Sequence, residues 1–201
     1  MALLTELDPF QRLTINISLL TERKTHSLSA QNAAKPHAMP SQINAVVITA
    51  SDACSRGERE DKSGELLVEL LTGIGARIVA KEILADDLEP LANKLREHAE
   101  RPDVNLVVTT GGTGFGPRDN TPEATLRVIE REAPGLAEAM RIQTLKNTPM
   151  AMISRGVSGI RSGALIINLP GSPKAVLESF EIIRPVLSHA VALLAGERDG
   201  H

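Results

Sequence analysis

One stretch of the chain combines a glycine-rich loop with charged side chains. From Val107 to Thr125 the sequence reads VVTTGGTGFGPRDNTPEAT, an apolar run that is followed by glycines, by Arg118-Asp119 and by Thr-Pro-Glu. Glycine lets backbone N–H groups approach an anion closely, and the start of a helix favours negative charge. The stretch therefore predicts a phosphate-binding loop. In it, Arg118 could neutralise phosphate oxygens or simply pair with Asp119.

Aspartates follow several predicted strands and could supply the ligands of a metal ion. Magnesium is typically held by one or two carboxylates together with phosphate oxygens and waters. We interpret Asp86 and Asp119 as functional, whereas Asp87 is better explained as the cap of the next helix. For Asp52 a functional role and the stabilisation of a turn remain equally open.

A third group of polar residues lies near the end of the chain, in the segments Ser154-Arg155 and Asn168–Lys174. Lys174 comes one residue after the proline of a predicted helix start, where a cation opposes the helix dipole. A bound anion would explain this placement, and solvation on an open surface is the alternative. We favour the anion.

These residues must be positioned by a parallel sheet. Continuous apolar runs alternate with segments of helical spacing, which is typical of an α/β fold with helices on both faces of the sheet. The sequence predicts strands at 43–50, 77–84, 105–110, 150–153, 157–160 and 164–169. Helices are predicted at 63–72, 86–99, 122–131, 136–146 and 173–194, with Thr121 as the cap of the third. We expect the loops at Ser51-Asp52, Gly111–Gly116 and Pro170–Lys174 to share one edge, because ligands bind at the carboxyl ends of such strands.

The composition excludes several classes of protein. The net charge of -3 and the aromatic content of 1% argue against nucleic-acid binding. We see neither a membrane-spanning run nor a signal peptide, and a lone cysteine, Cys54, forms no internal disulfide, so we expect a cytoplasmic protein with Cys54 as a packing residue. Residues 1–42 are polar and are predicted to be a disordered extension, unless Met39 is the true start; 43–196 form the domain and 197–201 a tail.

Three separated motifs point to a known family. The stretch TTGGTGFGPRDNTPEAT, the pairs Pro134-Gly135, Met140-Arg141 and Ser154-Arg155, and the segment NLPGSPK at 168–174 occur in the family's order, with Ser51-Asp52 after the first strand. In these features the chain resembles the molybdopterin adenylyltransferase family of molybdenum-cofactor biosynthesis, which includes the gephyrin G-domain. The resemblance covers about 43–196.

The resemblance implies a three-layer α/β/α sandwich with a mostly parallel sheet, a homotrimer, and two substrates, molybdopterin and Mg-ATP. The terminal phosphate of molybdopterin would attack the α-phosphorus of ATP and release pyrophosphate. Asp86 and Asp119 would be catalytic and would hold Mg²⁺. The adenylated product could be handed over to the molybdate-inserting enzyme. The substrate-binding residues would be Ser51, Asp52, Thr110, Gly111, Gly112, Thr113, Gly114, Arg118, Thr121, Met140, Arg141, Ser154, Arg155, Asn168, Pro170, Gly171, Ser172 and Lys174.

The sequence departs from the family at Asn120, where an apolar residue is common. Asn120 is next to Asp119 and could alter the orientation of that acid without removing a ligand. Two other functions remain open at this point. One is a pterin-binding scaffold without catalysis. The other is a nucleotide-processing hydrolase built on a similar domain, or the related domain of the molybdate-inserting enzyme.

Overall fold

Six strands form a single sheet in the computed structural model, which describes residues 42–196. The strands are β1 (Asn44–Ala50), β2 (Arg77–Leu84), β3 (Leu106–Thr110), β4 (Arg131–Glu132), β5 (Ser158–Arg161) and β6 (Ala164–Leu169). Their order in the sheet is β2-β1-β3-β6-β5-β4. The first four strands are parallel, β5 pairs antiparallel with β6, and β4 pairs antiparallel with β5. The predicted α/β fold with a mostly parallel sheet is confirmed.

Helices cover both faces of this sheet. They are α1 (Asp52–Ser55), α2 (Lys62–Gly73), α3 (Leu88–Ala99), α4 (Thr121–Val128), α5 (Pro134–Thr144), a 3-10 helix (Pro149–Ile153) and α6 (Pro173–Leu194). Successive strand residues point to opposite faces, so that Val47 packs with α2 and α6 whereas Val46 packs with α3 and α4. The two apolar clusters make the expected three layers.

The structure differs from the sequence prediction in short elements. The segment 150–153 is a 3-10 helix rather than a strand, because Pro149 follows Thr148, whose hydroxyl accepts the N–H of Met150 at 3.3 Å. The predicted helix 122–131 ends at Val128, since Arg131–Glu132 pair with β5. The short helix α1 was not predicted. Residues 1–41 and 197–201 lie outside the described residues, so the disordered extension, the alternative start at Met39 and the tail stay predictions.

The chain direction brings the carboxyl ends of β1, β2, β3 and β6 to one edge of the sheet. β1 continues toward α2 on one face, and β2 continues into α3 on the other. A crevice opens where neighbouring connections leave toward opposite faces. Among residues 42–196, no helix combines the length and the apolar character that crossing a membrane requires.

Candidate functional site

The carboxyl ends of the parallel strands surround a cavity of about 750 Å³, which we call the main cavity. The three loops expected to share one edge do converge here. Of the predicted site residues, Ser51, Asp86, Thr110, Gly111, Gly112, Asp119, Gly171 and Ser172 line it. Backbone amides, hydroxyls and two carboxylates thus face one volume, as a site for a phosphorylated ligand requires.

A second cavity of about 420 Å³ adjoins the main one. The predicted residues that line it are Gly112, Thr113, Gly114, Asp119, Met140, Arg141, Ser154, Asn168, Pro170, Gly171 and Ser172. Gly112, Asp119, Gly171 and Ser172 line both cavities. The two volumes therefore meet at the glycine loop and at the start of α6.

Two glycines of the loop have backbone conformations that side chains oppose. Gly111 has a φ of +93° and Gly112 a φ of +61°. A Cβ on Gly111 would lie 2.2 Å from the Ala50 carbonyl oxygen, and one on Gly112 would lie 2.4 Å from Thr121 Oγ1. These glycines are needed both for the turn and for the close approach of neighbouring segments.

The backbone amides of the loop fall into two groups. The N–H of Gly111 donates to the Leu169 carbonyl at 3.2 Å and so extends the sheet pairing. Within residues 42–196, the N–H groups of Gly112, Thr113 and Gly114 have no protein acceptor. The expected phosphate cradle therefore reduces to these three amides, because Gly111 is already bonded.

Asp86 is held by a reciprocal pair of hydrogen bonds with Asp52. The N–H of Asp52 donates to Asp86 Oδ2 at 2.9 Å, and the N–H of Asp86 donates to Asp52 Oδ1 at 3.1 Å. The other oxygen, Asp86 Oδ1, is buried and has no partner in the described chain, and the same holds for Thr121 Oγ1. Burial raises the pKa of Asp86, and the negative charges of Asp52 and Asp119 raise it further.

An ionised Asp86 would therefore gain stability from a cation at its free oxygen. The donor chemistry fits magnesium, which prefers carboxylate oxygen. In the part of the chain that the structure describes, no group of three or more His, Cys, Asp or Glu residues could hold a metal ion. A magnesium ion bound by Asp86 and Asp119 would thus need phosphate oxygens or waters as its other ligands.

Asn120, and not Thr121, occupies the cap position of α4. The predicted cap is wrong because the N–H of Thr121 donates to the Gly112 carbonyl, which turns its side chain into the protein, where it is fully buried. The Asn120 amide donates to the Asp86 carbonyl at 2.7 Å. The residue that departs from the family pattern therefore connects α4 to the end of β2 and contacts the backbone of a candidate catalytic acid.

Asp119 closes the far side of the glycine loop. Its Oδ2 accepts the N–H of Gly116 at 2.7 Å. Arg155 fixes the same loop from outside, since its Nε donates to the Gly114 carbonyl and its Nη2 to the Asp119 carbonyl, both at 2.6 Å, while Nη1 pairs with Glu123. Arg155 lines neither cavity. We infer that it shapes the loop, although it was expected to contact substrate.

Arg118 is bonded across the mouth of the site. Its Nε and Nη2 bind the carboxylate of Asp52 at 3.0 and 2.8 Å, and its Nη1 binds Asp87 at 2.9 Å. Of the two alternatives for Arg118, pairing with Asp119 is therefore wrong. Asp87 occupies the predicted cap position of α3, but its side chain makes no capping bond and binds Arg118 instead. Asp52 and Arg118 line neither cavity.

We predict that Arg118→Ala lowers stability at neutral pH and that this difference disappears in acid. The Arg118 guanidinium, followed by the N–H of Asp86, lowers the pKa of Asp52 from 3.8 to about 2. A lowered pKa in the folded state contributes stability above the unfolded value, and this contribution is lost as the pH falls from about 4 toward 2. Thermal melting of both proteins at pH 7, 4 and 2.5 in chelator checks it. Arg127→Ala, which breaks an exposed pair with Glu89, is the control. A difference that stays constant down to pH 2.5 would contradict the assignment.

Lys174 does not reach the site in this structure. Its side chain is 83% exposed, and its ammonium lies 3.9 Å from Glu178 one turn further along α6. Solvation on an open surface, the alternative explanation, describes its surroundings better than an anion site. Asn168 is also engaged: its amide nitrogen donates to Thr109 and Thr125, and its oxygen accepts the N–H of Val157.

The segment between α1 and α2 contributes to the site, which the sequence did not predict. Arg59, Glu60 and Lys62 line the main cavity, as does Cys54, a half-buried residue that we had interpreted as packing. This segment lacks hydrophobic periodicity, and only its position after a predicted strand end could have indicated it. In the second cavity, Met150 and Ile153, which were predicted to form a strand, and Glu178, which lies within α6, were also not predicted as site residues.

Comparisons with known proteins give a consistent result. A family model described as "Probable molybdopterin binding domain" matches residues 46–189. A molybdopterin adenylyltransferase from Helicobacter pylori J99 is 41% identical over 156 residues, which cover 77% of this chain and 89% of the relative. The molybdenum cofactor synthesis protein cinnamon of Drosophila melanogaster is 41% identical over 152 residues, which cover 75% of this chain but only 25% of that protein. The crystal structure of the molybdopterin biosynthesis enzyme MoaB from Thermus thermophilus superposes with a TM-score of 0.73 at 46% identity, covering 77% of this chain and 98% of that one.

Proposed function

The chain belongs to the family of probable molybdopterin binding domains, and from this premise we propose that it is a molybdopterin adenylyltransferase. In the proposed reaction, AMP is transferred from Mg-ATP to the terminal phosphate of molybdopterin, and pyrophosphate is released. The step belongs to molybdenum-cofactor biosynthesis. The names of the relatives from Drosophila melanogaster and Helicobacter pylori support this assignment.

The observation that carries the proposal is the meeting of two acids with free backbone amides. Asp86 and Asp119 line the main cavity together with Gly112, whose N–H has no acceptor in the described chain. Amides alone would suffice to bind a phosphate. Carboxylates beside a phosphate site repel it unless a cation lies between them, which favours metal-assisted transfer over mere binding.

The arrangement of the two cavities suits a reaction of two substrates. They share Gly112, Asp119, Gly171 and Ser172, so the reacting phosphates of the two ligands would meet there. Nucleotidyl transfer needs positioning and charge neutralisation more than a covalent intermediate on the protein. The amides of Gly112, Thr113 and Gly114 would orient phosphate oxygens. A magnesium ion at Asp86 and Asp119 would supply charge neutralisation of ATP and of the leaving pyrophosphate.

The second candidate function is a pterin-binding scaffold of the same fold. One experiment separates the two. The full chain is incubated with molybdopterin, ATP and Mg²⁺, and the products are analysed by mass spectrometry for the AMP adduct and by a coupled assay for pyrophosphate. We expect both products, and neither when the metal is chelated. Tight pterin binding by folded protein without an adduct would favour the scaffold.

The proposal also covers the oligomeric state of the protein, its location in the cell and its partner. We propose a homotrimer in the cytoplasm that hands its product to the molybdate-inserting enzyme. Large apolar side chains stand exposed along α5, the 3-10 helix and the glycine loop, and burying them between copies would remove them from water: Phe115, Ile142, Leu145, Met150, Met152 and Ile153. Sedimentation equilibrium should then give the mass of three chains, and a monomer at micromolar concentration would oppose the trimer.

A further inference from the structure

Two cationic side chains, Arg59 and Lys62, line the main cavity, and they differ in the residues that they contact. Lys62 lies 3.7 Å from Glu60, and its side chain is 71% exposed. Arg59 makes one hydrogen bond, from Nη2 to Ser51 Oγ at 2.9 Å, and has no carboxylate partner within residues 42–196. A guanidinium carries five N–H donors, so most of those on Arg59 remain available to a ligand.

The hydrogen bond to Ser51 fixes the position of the Arg59 guanidinium. Ser51 is buried at the end of β1, and its N–H donates to the Leu84 carbonyl at the end of β2. In the sheet, β1 lies between β2 and β3. Asp86 follows the end of β2, and the glycine loop follows the end of β3. Arg59 is thus held at the strand ends between Asp86, which would hold the metal ion, and the glycine loop, which would bind phosphate.

The cations that the sequence suggested for this task are engaged elsewhere. Arg118 binds Asp52 and Asp87, and Lys174 is exposed beside Glu178. Neither lines a cavity. A triphosphate brought next to Asp86 and Asp119 needs positive charge from the protein as well as from a metal ion, and Arg59 is in place to supply it.

We propose that Arg59 binds phosphoryl oxygens in the main cavity and so positions a substrate. The inference rests on the proposed function for the identity of that substrate. The shared chemistry is a phosphate group, which the nucleotide, the released pyrophosphate or the terminal phosphate of molybdopterin would present. Arginine matches such groups with two parallel hydrogen bonds, which a lysine cannot reproduce.

The test uses the full chain with three variants and is a binding measurement. Arg59→Ala removes the guanidinium, Arg59→Lys keeps its charge, and Arg56→Ala removes a nearby arginine that pairs with Glu58 and does not line the cavity. Pyrophosphate, ATP and molybdopterin are titrated separately by calorimetry in magnesium buffer. Circular dichroism melting verifies that each variant folds.

For Arg59→Ala we expect the dissociation constant of pyrophosphate and ATP to rise about tenfold, the effect of losing one charge-assisted hydrogen bond. Arg59→Lys should recover part of this loss, Arg56→Ala should bind as the parent does, and the difference should shrink at high salt. A loss confined to molybdopterin would support the proposal and assign the pterin phosphate as the ligand.

Two results would overturn the proposal. In one, Arg59→Ala binds all three ligands as tightly as the parent does. In the other, Arg56→Ala loses as much affinity as Arg59→Ala, which would mean that the loss comes from the change in net charge alone. The proposed function can fail separately: a protein that forms no AMP adduct, yet loses pyrophosphate binding on Arg59→Ala, leaves this inference standing.

Discussion

Replacing Asp119 with Asn is expected to leave the fold intact and to lower adenylyl transfer by about 100-fold or more, the usual effect of removing a preorganised charged group from the reacting centre. Asp119 lines both cavities, and its Oδ2 accepts the N–H of Gly116. An asparagine oxygen can still accept that bond. The variant therefore removes the charge and preserves the shape of the loop.

The measurement is the initial rate of AMP-adduct formation at saturating ATP, with melting temperature as the check on folding. Asp119→Ala should lose at least as much activity and also loosen the loop. Asp103→Asn is the matched control, because this half-buried aspartate pairs with Arg101 away from both cavities. If Asp119→Asn turned over at the parental rate, Asp119 would not be a catalytic metal ligand.

The largest effect on stability is expected at Gly111. Gly111→Ala should lower the free energy of unfolding by about 3 kcal/mol or more, since strain at positive φ adds to a steric clash. The new Cβ would lie 2.2 Å from the Ala50 carbonyl oxygen, which belongs to a central strand and cannot move away cheaply. Either the glycine loop or the end of β1 must shift, and both border the main cavity.

Gly163→Ala separates the cost of backbone strain from the cost of a steric clash. Gly163 has a φ of +83°, close to the +93° of Gly111, but nothing lies within 4 Å of its Cβ position. Gly163→Ala should therefore lower the free energy of unfolding by only about 1 kcal/mol. Urea unfolding of both variants gives the comparison. Equal losses would mean that the backbone conformation alone, and not the contact with Ala50, requires glycine at position 111.

The sequence predicted those parts of the site that are local. The apolar run that became β3, the glycines after it and the acid at Asp119 stand within one short stretch, so their order along the chain already implies strand, loop and helix. The convergence of Ser51, the glycine loop and Ser172 also followed, because parallel strands present their carboxyl ends at one edge.

Beyond the short elements and the Gly111 amide, the wrong expectations concern side chains and their partners. Arg118 finds Asp52 at a separation of 66 residues and Asp87 at 31, although Asp119 is its neighbour in sequence. Lys174 is exposed and lies 3.9 Å from Glu178, one turn along its own helix. The side chain of Thr121 is fully buried, and its hydroxyl has no partner in the described chain. Only for Arg118 did the fold bring partners from far along the chain in place of the neighbour that spacing suggested.

The sequence by itself thus determined the layers of the fold and the loops that share an edge, and it predicted that this edge binds phosphate. These follow from hydrophobic periodicity, strand direction and glycine chemistry, which act over a few residues. Only the tertiary structure decided that Asp52 and Asp86 bind each other, that Arg155 shapes the glycine loop and that Arg59 faces the cavity. The first two sets of contacts join residues far apart in the chain and depend on the order of strands in the sheet, which no local propensity encodes. The position of Arg59 depends on the path of the irregular segment after α1, which has no hydrophobic periodicity to predict it.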